Sequence, residues 1–566
     1  MASENEVTQM QELEDKLLEH LRAEYASLED SRKNWETMWQ DIGELTIPAR
    51  ADFSTLRSKG ENRRSRIFDS TPVRALTRFA SGLHNMLVPS TIPWFIVTTL
   101  NRQAAKDREI ALWLEQAQLV VQDTFNRPSA NFHPSIHEYM QDLGAFGTGV
   151  MMVLDRPGEG PYYLTLPLYD CYLAVNDLGR VDTLYRVYEH TAKELIDAFG
   201  PEVLPKEVLE ALEQNQPFKR FECVNVIKPS RHLNLPVPLA MPYVSIFWMK
   251  TEKKIISIKG FNEQPFICSR WDRNSMETYG RGPGIEALSD IKMINEMEKT
   301  FLKALQKAVD PPLMVPDDGF LSPIRTTPGG INYFRAGMTK DDRIVPMPTP
   351  QRIDYAEVKM NKVKEAINSA FYIDLMELPG PTAADGDVMR FTATEIAARQ
   401  RDRLSILGPI VARQEIELLG PLVERTMSVM STGGMFPQPP QSLMQQQVKF
   451  EYYNPISVAM RSGELSSISQ LMQFMIPFAQ IDPTVIRRFN PSKLAELGAE
   501  ILRVPPSVLK SEEELQMELR QEQMERQQQE QIAQQMAMAD VEEGLSKAQA
   551  NRASAEATML NAGEPI

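Results

Sequence analysis

Tyr279-Gly280-Arg281-Gly282-Pro283-Gly284-Ile285-Glu286-Ala287-Leu288 opens the part of the chain with the clearest architecture. Gly280, Gly282, Pro283 and Gly284 form a structural turn that breaks any preceding element and starts a helix. After the turn, Leu288, Ile291, Ile294, Met297, Phe301, Leu305 and Ala308 recur at steps of three or four, the spacing of one helix face. The pattern predicts a helix over Ile285–Val309, a rod of about 37 Å at ~1.5 Å per residue. A second helix is predicted over Asp354–Asp374, with Ala356, Met360, Val363, Ile367, Ala370 and Phe371 inward. Lys299, Lys303 and Lys307 stand four apart on the first rod, with Lys292 and Glu296 extending the row. Like charges at this spacing repel, so the row is either a solvated face or one opposed to a polyanion or an acidic neighbour. Lys359 and Lys362 lie elsewhere on the second rod's surface. The intervening Asp310–Arg352 carries Pro311, Pro312, Gly329 and Gly330, with short strand candidates at Ile331–Phe334 and Ile344–Pro346. Loops beyond about 12–15 residues carry a function or their own strands, and strands this few need a partner to be stable.

The motifs Tyr279–Leu288, Asp290-Ile-Lys292, Val309-Asp-Pro-Pro312 and Pro316-Asp-Asp-Gly319 resemble the head-to-tail connector, or portal, family of short-tailed bacteriophages. Asp69-Ser-Thr71, Ala80-Ser-Gly-Leu83, Pro89-Ser90 through Trp94-Phe95, Thr394-Glu395 with Arg399, and Gly408-Pro409 extend the resemblance from about Arg66 to Ile501. It implies a ring of about twelve copies at one capsid vertex, through which double-stranded DNA passes. On the chain it implies N-terminal helices and an α+β wing over 1–278, a first stem helix over 279–309, a clip over 310–352 and a second stem helix over 353–374. A tunnel loop over 375–391 follows, then a kinked helix returning to the wing over 392–460, and a crown with a C-terminal barrel helix or disordered tail over 461–566. The resemblance places Pro379, Gly380, Thr382, Asp385, Gly386, Asp387 and Arg390 toward DNA. Arg325, Tyr333, Arg335, Lys340 and Arg343 become clip contacts to the next subunit or to a tail adaptor, and the clip strands pair with the next subunit's loop. Lys299, Lys303, Lys307, Lys359 and Lys362 face the channel or the adjacent stem. The partners implied are the major capsid protein, a scaffolding protein, the terminase motor and the tail adaptor, and the location is the virion.

Composition is globular: 566 residues, 42% hydrophobic and 24% charged. The net charge of −15 disfavours general nucleic-acid binding, which needs clustered Lys and Arg. An acidic wall that lets DNA slide without sticking is compatible with it. The charge is uneven: Ser511–Ile566 holds 12 acidic and 4 basic residues, whereas Ile285–Asp374 holds 13 and 12. Cys171, Cys223 and Cys268 are far apart and read as buried free thiols in a reducing compartment. Met1–Gln11 is polar and no apolar run approaches ~18 residues, so synthesis in the host cytoplasm without a membrane span is expected.

In chain order, a helix is expected over Glu6–Glu44, ended by Pro48, with Leu13, Leu17, Leu21, Leu28, Trp35 and Trp39 on its buried side. Gly60–Arg66 is a basic loop. Ser70 is a candidate N-cap for a helix carrying Leu76, Phe79, Leu83 and Leu87. Trp94–Thr99 reads as a strand and Lys106–Asn126 as a helix. Phe146–Phe266 turns β-rich, interrupted by two short helices, so the fold class is α+β. Glu377–Asp387 is rich in breakers; Asp385 and Asp387 flank Gly386 as in a calcium loop, but the other ligands and closing Glu are missing. Thr392-Ala-Thr-Glu395 is a capping box for a helix reaching Met430, bent at Pro409 and Pro421. Arg399, Arg401 and Arg403 on it meet a neighbour's carboxylates or phosphate. Val448–Tyr453 is a strand expected to rejoin the β-rich domain. Helices follow at about Glu464–Met475, Pro483–Phe489 and Pro491–Leu502. From Ser511 a Gln- and Met-rich helix is either solvated or packed beside its own copies.

Catalytic patterns are missing. Gly280, Gly282 and Gly284 lack the Lys-Ser/Thr of a phosphate loop, and there is no GxSxG elbow or HExxH. His133 and His137 stand four apart, but without a third ligand packing or capping is expected rather than metal binding. No cofactor and no enzyme activity are expected. Two other classes fit parts of the sequence: a coiled-coil scaffolding protein, opposed by the β-rich middle, and a phage enzyme with an unrecognised site such as Asp317-Asp318.

Overall fold

The computed structural model describes residues 4–55, 58, 60–101, 107–233, 241–251, 254–314, 325, 331, 345–347, 354–376, 406–444, 446–452, 468, 470–471, 473–474, 493–494, 497–499 and 512–561. The chain divides into two compact units. The larger holds Met1–Thr98, Gln116–Pro439 and Val448–Phe474; the smaller holds Thr99–Glu115, Pro440–Gln447 and Met475–Ile566.

In the larger unit α1 (Glu4–Thr46) runs as expected until Pro48. α2 (Thr71–Leu87) starts one residue after Ser70, but the Ser70 side chain makes no cap bond. Asp69 does that work: its Oδ1 accepts from Thr71 N at 2.7 Å. β1 (Phe95–Thr99) follows, then α3 (Arg108–Asn126), which crosses from one unit to the other, and α4 (Phe132–Phe146). α4 is the central helix of the core, and Phe132, Ile136, Tyr139, Met140, Leu143 and Phe146 along it are all buried. Its polar Asp142 is buried too, held by Arg50.

Antiparallel strands come next. β2 (Thr148–Arg156) and β3 (Gly160–Leu166) form a hairpin, then β4 (Cys171–Val175) and β5 (Val181–Thr191) form another. α5 (Ala192–Phe199) starts on a capping box, with Thr191 and Glu194 exchanging side-chain and backbone bonds, and α6 (Lys206–Glu213) follows. β6 (Arg220–Pro229), β7 (Tyr243–Met249), β8 (Ile255–Phe261) and β9 (Phe266–Arg270) complete the region. One sheet has the order β4-β5-β6-β7-β8; the other is β3-β2-β9. Successive side chains in the larger sheet point to opposite faces, which assigns them to two cores. Val224, Val226, Ile246 and Trp248 meet Leu17, Leu18, Leu21 and Tyr25 of α1. Cys223, Phe247, Met249 and Ile256 meet Leu195, Val208 and Ala211 of α5 and α6. Cys171, Cys223 and Cys268 are free and buried.

The stretch after β9 holds α7 (Pro283–Glu286), α8 (Leu288–Val309), β10 (Leu313–Met314), β11 (Val345–Pro346), α9 (Asp354–Ala370) and α10 (Ile373–Met376). The first rod thus begins at Leu288, because the Ala287 joint separates it from a short first turn. The second ends at Ala370, because Tyr372 takes a left-handed φ of 56° and redirects the chain. β10 and β11 pair antiparallel within the chain, Leu313 opposite Pro346 and Met314 opposite Val345. The strand expected at Ile344–Pro346 therefore has a partner inside its own subunit.

Residues 406–414 are helical; a π-helical turn over Glu415–Leu419 leads into α11 (Gly420–Thr432). The π turn immediately precedes Pro421, where an α-helix would lose a backbone donor. β12 (Val448–Tyr452) corrects one expectation: it pairs with β1 in a separate two-stranded sheet rather than joining the β-rich sheets. β1 offered a free edge, whereas neither larger sheet takes β12 as an additional strand.

In the smaller unit α12 (Glu512–Asn561) is a continuous helix whose described side chains from Met517 onward are exposed. Arg108 forms an ion pair with Glu514. Among the described residues no helix is long and apolar enough to cross a membrane.

Candidate functional site

The Gly280–Gly284 turn lies against the last turn of α4, and its backbone contacts explain its composition. A Cβ at Gly280 would stand 2.3 Å from Gly147 O, one at Gly282 2.6 Å from Leu143 O, and one at Gly284 2.6 Å from Ala145 O. Only hydrogen fits between these backbones. Gly280 N donates to Thr148 Oγ1 at 2.8 Å, and Arg281 exchanges backbone bonds with Asp272 at 2.8 and 3.2 Å. Gly282 O accepts from Ile285 N, and Pro283 begins α7. Tyr279 is buried with its ring 4.9 Å from Trp39 and 5.8 Å from Trp35, and its hydroxyl accepts from Leu173 N at 3.2 Å. Burial pushes the Tyr279 phenol up to about 12, so it stays neutral. The turn is thereby welded to α1, α4 and β4.

From this root rises a helical hairpin. The C-terminal end of α8 leads to β10 and the N-terminal end of α9 follows β11; since β10 pairs with β11, the two helices run antiparallel. Lys364 sets their register, reaching Glu298 Oε1 at 2.8 Å and Asp69 Oδ2 at 2.9 Å. Burial works against ionised Asp69, but bonds from Thr71 and Lys364 outweigh it and hold the carboxyl below its usual range. Asn295 clamps the Arg66–Phe68 loop, accepting from Phe68 N at 2.8 Å and donating to Arg66 O at 3.0 Å. Lys292 pairs with Asp41 at 2.6 Å. Ile291, Ile294, Met360, Val363, Ile367 and Phe371 are buried, all on the inward faces read from the sequence. Leu288, Met297, Phe301 and Leu305 are only partly buried and Ala308 is exposed. The outer half of the hairpin is open, with Leu302 43%, Val309 86%, Val358 57% and Tyr355 70% exposed.

The sequence-derived candidates divide by position. Gly280, Gly282, Pro283 and Gly284 are brought together with α4 in the turn just described. Lys299 pairs along its own helix with Glu296 at 2.9 Å. Lys303, Lys307, Lys359 and Lys362 are exposed and make no ion pair among the described residues. Arg325 is described and exposed, whereas Tyr333, Arg335, Lys340 and Arg343 lie outside the described residues. So do Pro379, Gly380, Thr382, Asp385, Gly386, Asp387 and Arg390, the capping box at Thr392–Glu395, and Arg399, Arg401 and Arg403.

One polar assembly escaped the sequence reading. Arg270, buried on β9, grips Glu417 of the π turn, with Nη2 to Oε1 at 2.6 Å and Nε to Oε2 at 3.3 Å. Gln414 donates to Arg270 O at 2.9 Å and accepts from Ser269 Oγ at 2.6 Å. Tyr163 and Thr426 hydroxyls meet at 2.7 Å, and Arg413 reaches Trp271 O and Asp272 Oδ1, both at 2.9 Å. These bonds fasten the helix after residue 406 to the β3-β2-β9 sheet. Partners more than 140 residues apart leave no spacing signal; the bend proline, Pro421, is the one local mark. His133 and His137 each have partners of their own. The His133 ring meets Asn126 Oδ1 at 2.9 Å and His84 Nε2 at 3.2 Å, while His137 faces Gln141. Among the described residues no group of three His, Cys, Asp or Glu is placed to hold a metal ion.

Comparison with known proteins gives the chain its relatives. The chain is similar to the probable portal protein of Bordetella phage BPP-1, 26% identical over 494 residues that cover 86% of this chain and 88% of that protein. It is similar to the portal protein of Salmonella phage epsilon15, 26% identical over 553 residues covering 96% and 98%. Residues 18–509 match the family described as bacteriophage head to tail connecting protein. With the match running through both the root and the hairpin, this chain belongs to the bacteriophage head to tail connecting family.

Proposed function

We propose that this chain is the subunit of a phage portal: copies close into a ring at one capsid vertex, and duplex DNA enters and leaves through the hole. The observation that carries the reading is the α8/α9 hairpin, rooted in a rigid core and open on its outer half. A lone subunit gains little from leaving Leu302, Val309 and Val358 exposed; neighbouring copies cover such faces when a head-to-tail interface closes on itself. In this reading α8 and α9 are the stem, β10 and β11 mark the base of the clip, and the two β-sheets with α5 and α6 form the wing. The polar staple at Arg270 and Glu417 holds the long helix to the wing, and the stretch 375–391 is the tunnel loop between stem and long helix. The terminase motor and the tail adaptor dock on the clip; scaffolding and major capsid proteins meet the outside of the ring. The role is structural.

Negative-stain electron microscopy with native mass measurement tests the reading. Rings of about twelve copies around a hole wide enough for duplex DNA are expected. Compact dimers or extended rods at high protein concentration overturn it.

A further inference from the structure

The hairpin carries two matched rows of opposite charge that its own subunit leaves apart. On α8, Lys299, Lys303 and Lys307 follow one another at steps of four; on α9, Glu357, Asn361 and Glu365 do the same. Each row spans eight residues, about 12 Å at 1.5 Å per residue. The Lys364–Glu298 pair fixes their relative height. Counting outward from that pair along antiparallel helices, Lys307 is nine residues up and Glu357 seven; Lys303 is five and Asn361 three. Lys299 is one residue up and Glu365 one down, so the offset is two residues throughout, about 3 Å. The reach of a lysine and a glutamate side chain spans such an offset. Yet Lys303, Lys307, Glu357 and Glu365 are exposed and form no ion pair among the described residues, although α8 packs directly on α9. Four nearby acidic groups are occupied: Glu298 and Asp69 by Lys364, Glu296 by Lys299, Asp41 by Lys292.

We infer that the lysine row of α8 docks on the Glu357–Glu365 row of α9 in a second copy of this chain. The inference rests on the ring reading above and deepens it. Rotation about an axis along the helices keeps heights unchanged, so rows level within one subunit are level between neighbours. Lys307 then meets Glu357, and Lys299 approaches Glu365 with Glu296 as its competitor, while Asn361 opposite Lys303 leaves the centre of the row uncharged. The duplex DNA phosphates are the competing partner for the same lysines. The equal length and constant offset of the acidic row favour the neighbouring copy, since a polyanion requires no acidic row at matching height.

Charge exchange tests this. Lys307→Glu, Glu357→Lys, and the two together are compared with wild type by native mass and by the salt concentration that dissociates rings. Each half-exchange is expected to weaken association about five-fold per interface at low salt, and the full exchange to restore it to within about two-fold. The losses shrink at high salt, as exposed pairs are screened. As both positions are exposed, monomer melting should stay unchanged. A second arm joins Lys303→Cys and Asn361→Cys in one chain, where oxidation is expected to give a ladder of linked subunits. Rings whose losses simply add in the full exchange, or a lysine reversal that leaves rings intact and weakens only DNA retention, overturn the inference while sparing the ring. A wild-type chain that forms no ring at all overturns the ring reading itself.

Discussion

At the scale of single residues, the turn and the histidine chain make opposite demands. Gly280 faces Gly147 O so closely that a methyl group forces backbone apart. Gly280→Ala is expected to cost about 1–3 kcal/mol, the range for overpacking a filled site. Gly408, in a helix with nothing near its missing Cβ, is the control: Gly408→Ala should be neutral or stabilise by up to about 1 kcal/mol. Urea unfolding followed by circular dichroism separates the two, and equal effects would refute the backbone-contact account. The histidines fix their own tautomers. His133 Nε2 must donate to Asn126 Oδ1, so His133 Nδ1 accepts from His84 Nε2. Burial, then the nearby His133 and His137, pull His84 down to about 4, and burial lowers His133 as well. The unfolded chain therefore binds protons first, so this contribution is complete above about pH 6.5 and is lost as pH falls toward 4. With half-buried rings and solvent screening, about 1–2 kcal/mol of acid lability is expected. Asp142, whose carboxyl burial pushes up to about 7, acts with the opposite sign in the same window, so the comparison is between variants. His84→Gln keeps a donor toward His133 without titrating. The unfolding midpoint should fall less between pH 7 and pH 5 in that variant than in wild type; an identical pH dependence would remove His84 from the account.

At the scale of elements, the helix after residue 406 depends on one buried pair. Arg270 is 1% exposed, and Glu417 is its only carboxylate partner among the described residues. Glu417→Ala strands the guanidinium and is expected to cost about 3–5 kcal/mol. Replacing both, Arg270→Met with Glu417→Leu, should cost less than either single change, because no charge is left unpaired. A double-mutant cycle on unfolding free energies gives the answer, and additive losses would show that the pair does not couple the helix to β9. This staple also shows what a sequence discloses. Local periodicity made α1, α2, α3, α8 and α9 legible, with Met360, Val363, Ile367 and Phe371 of the second rod correctly placed inward and Ala356 and Ala370 only partly buried, and alternation made the strands legible. Long-range choices were not legible: β12 paired with β1 because an edge was free there, and Arg270 met Glu417 across the fold. One bend was hidden for a different reason. Tyr372 takes a left-handed φ although neither Gly nor Asn marks the place, whereas the π turn over Glu415–Leu419 falls just before Pro421, where a bend was expected. Of the candidate site, the glycine turn was readable from composition and Asp69 was read only as part of a family motif, whereas Lys364, which sets the hairpin's register, lay unremarked among surface charges.

At the scale of the whole molecule, charge and burial are distributed so that the ends of the chain differ in kind. Of the net charge of −15, −8 falls in Ser511–Ile566, counted as 12 acidic against 4 basic residues. α12 in that segment exposes Met524, Ile532, Met536, Val541 and Leu545 at more than half of their surface. Its apolar residues do not fall on one stripe, so it has no face that must be buried for the chain to fold. Long helices of this kind gain their stability from neighbours rather than from propensity. The ion pair of Glu514 with Arg108 is exposed and worth about 0.2–1 kcal/mol. Truncation after Ser511 is therefore expected to leave the unfolding midpoint of the remaining chain within about 1 kcal/mol of wild type. The hairpin and its charge rows are retained, so ring assembly should survive with the same number of copies. Native mass and urea unfolding of the truncated chain check both expectations. A truncated chain that folds but remains monomeric would transfer the assembly determinant from the hairpin to α12, and with it the explanation of why so long a helix is kept without a core of its own.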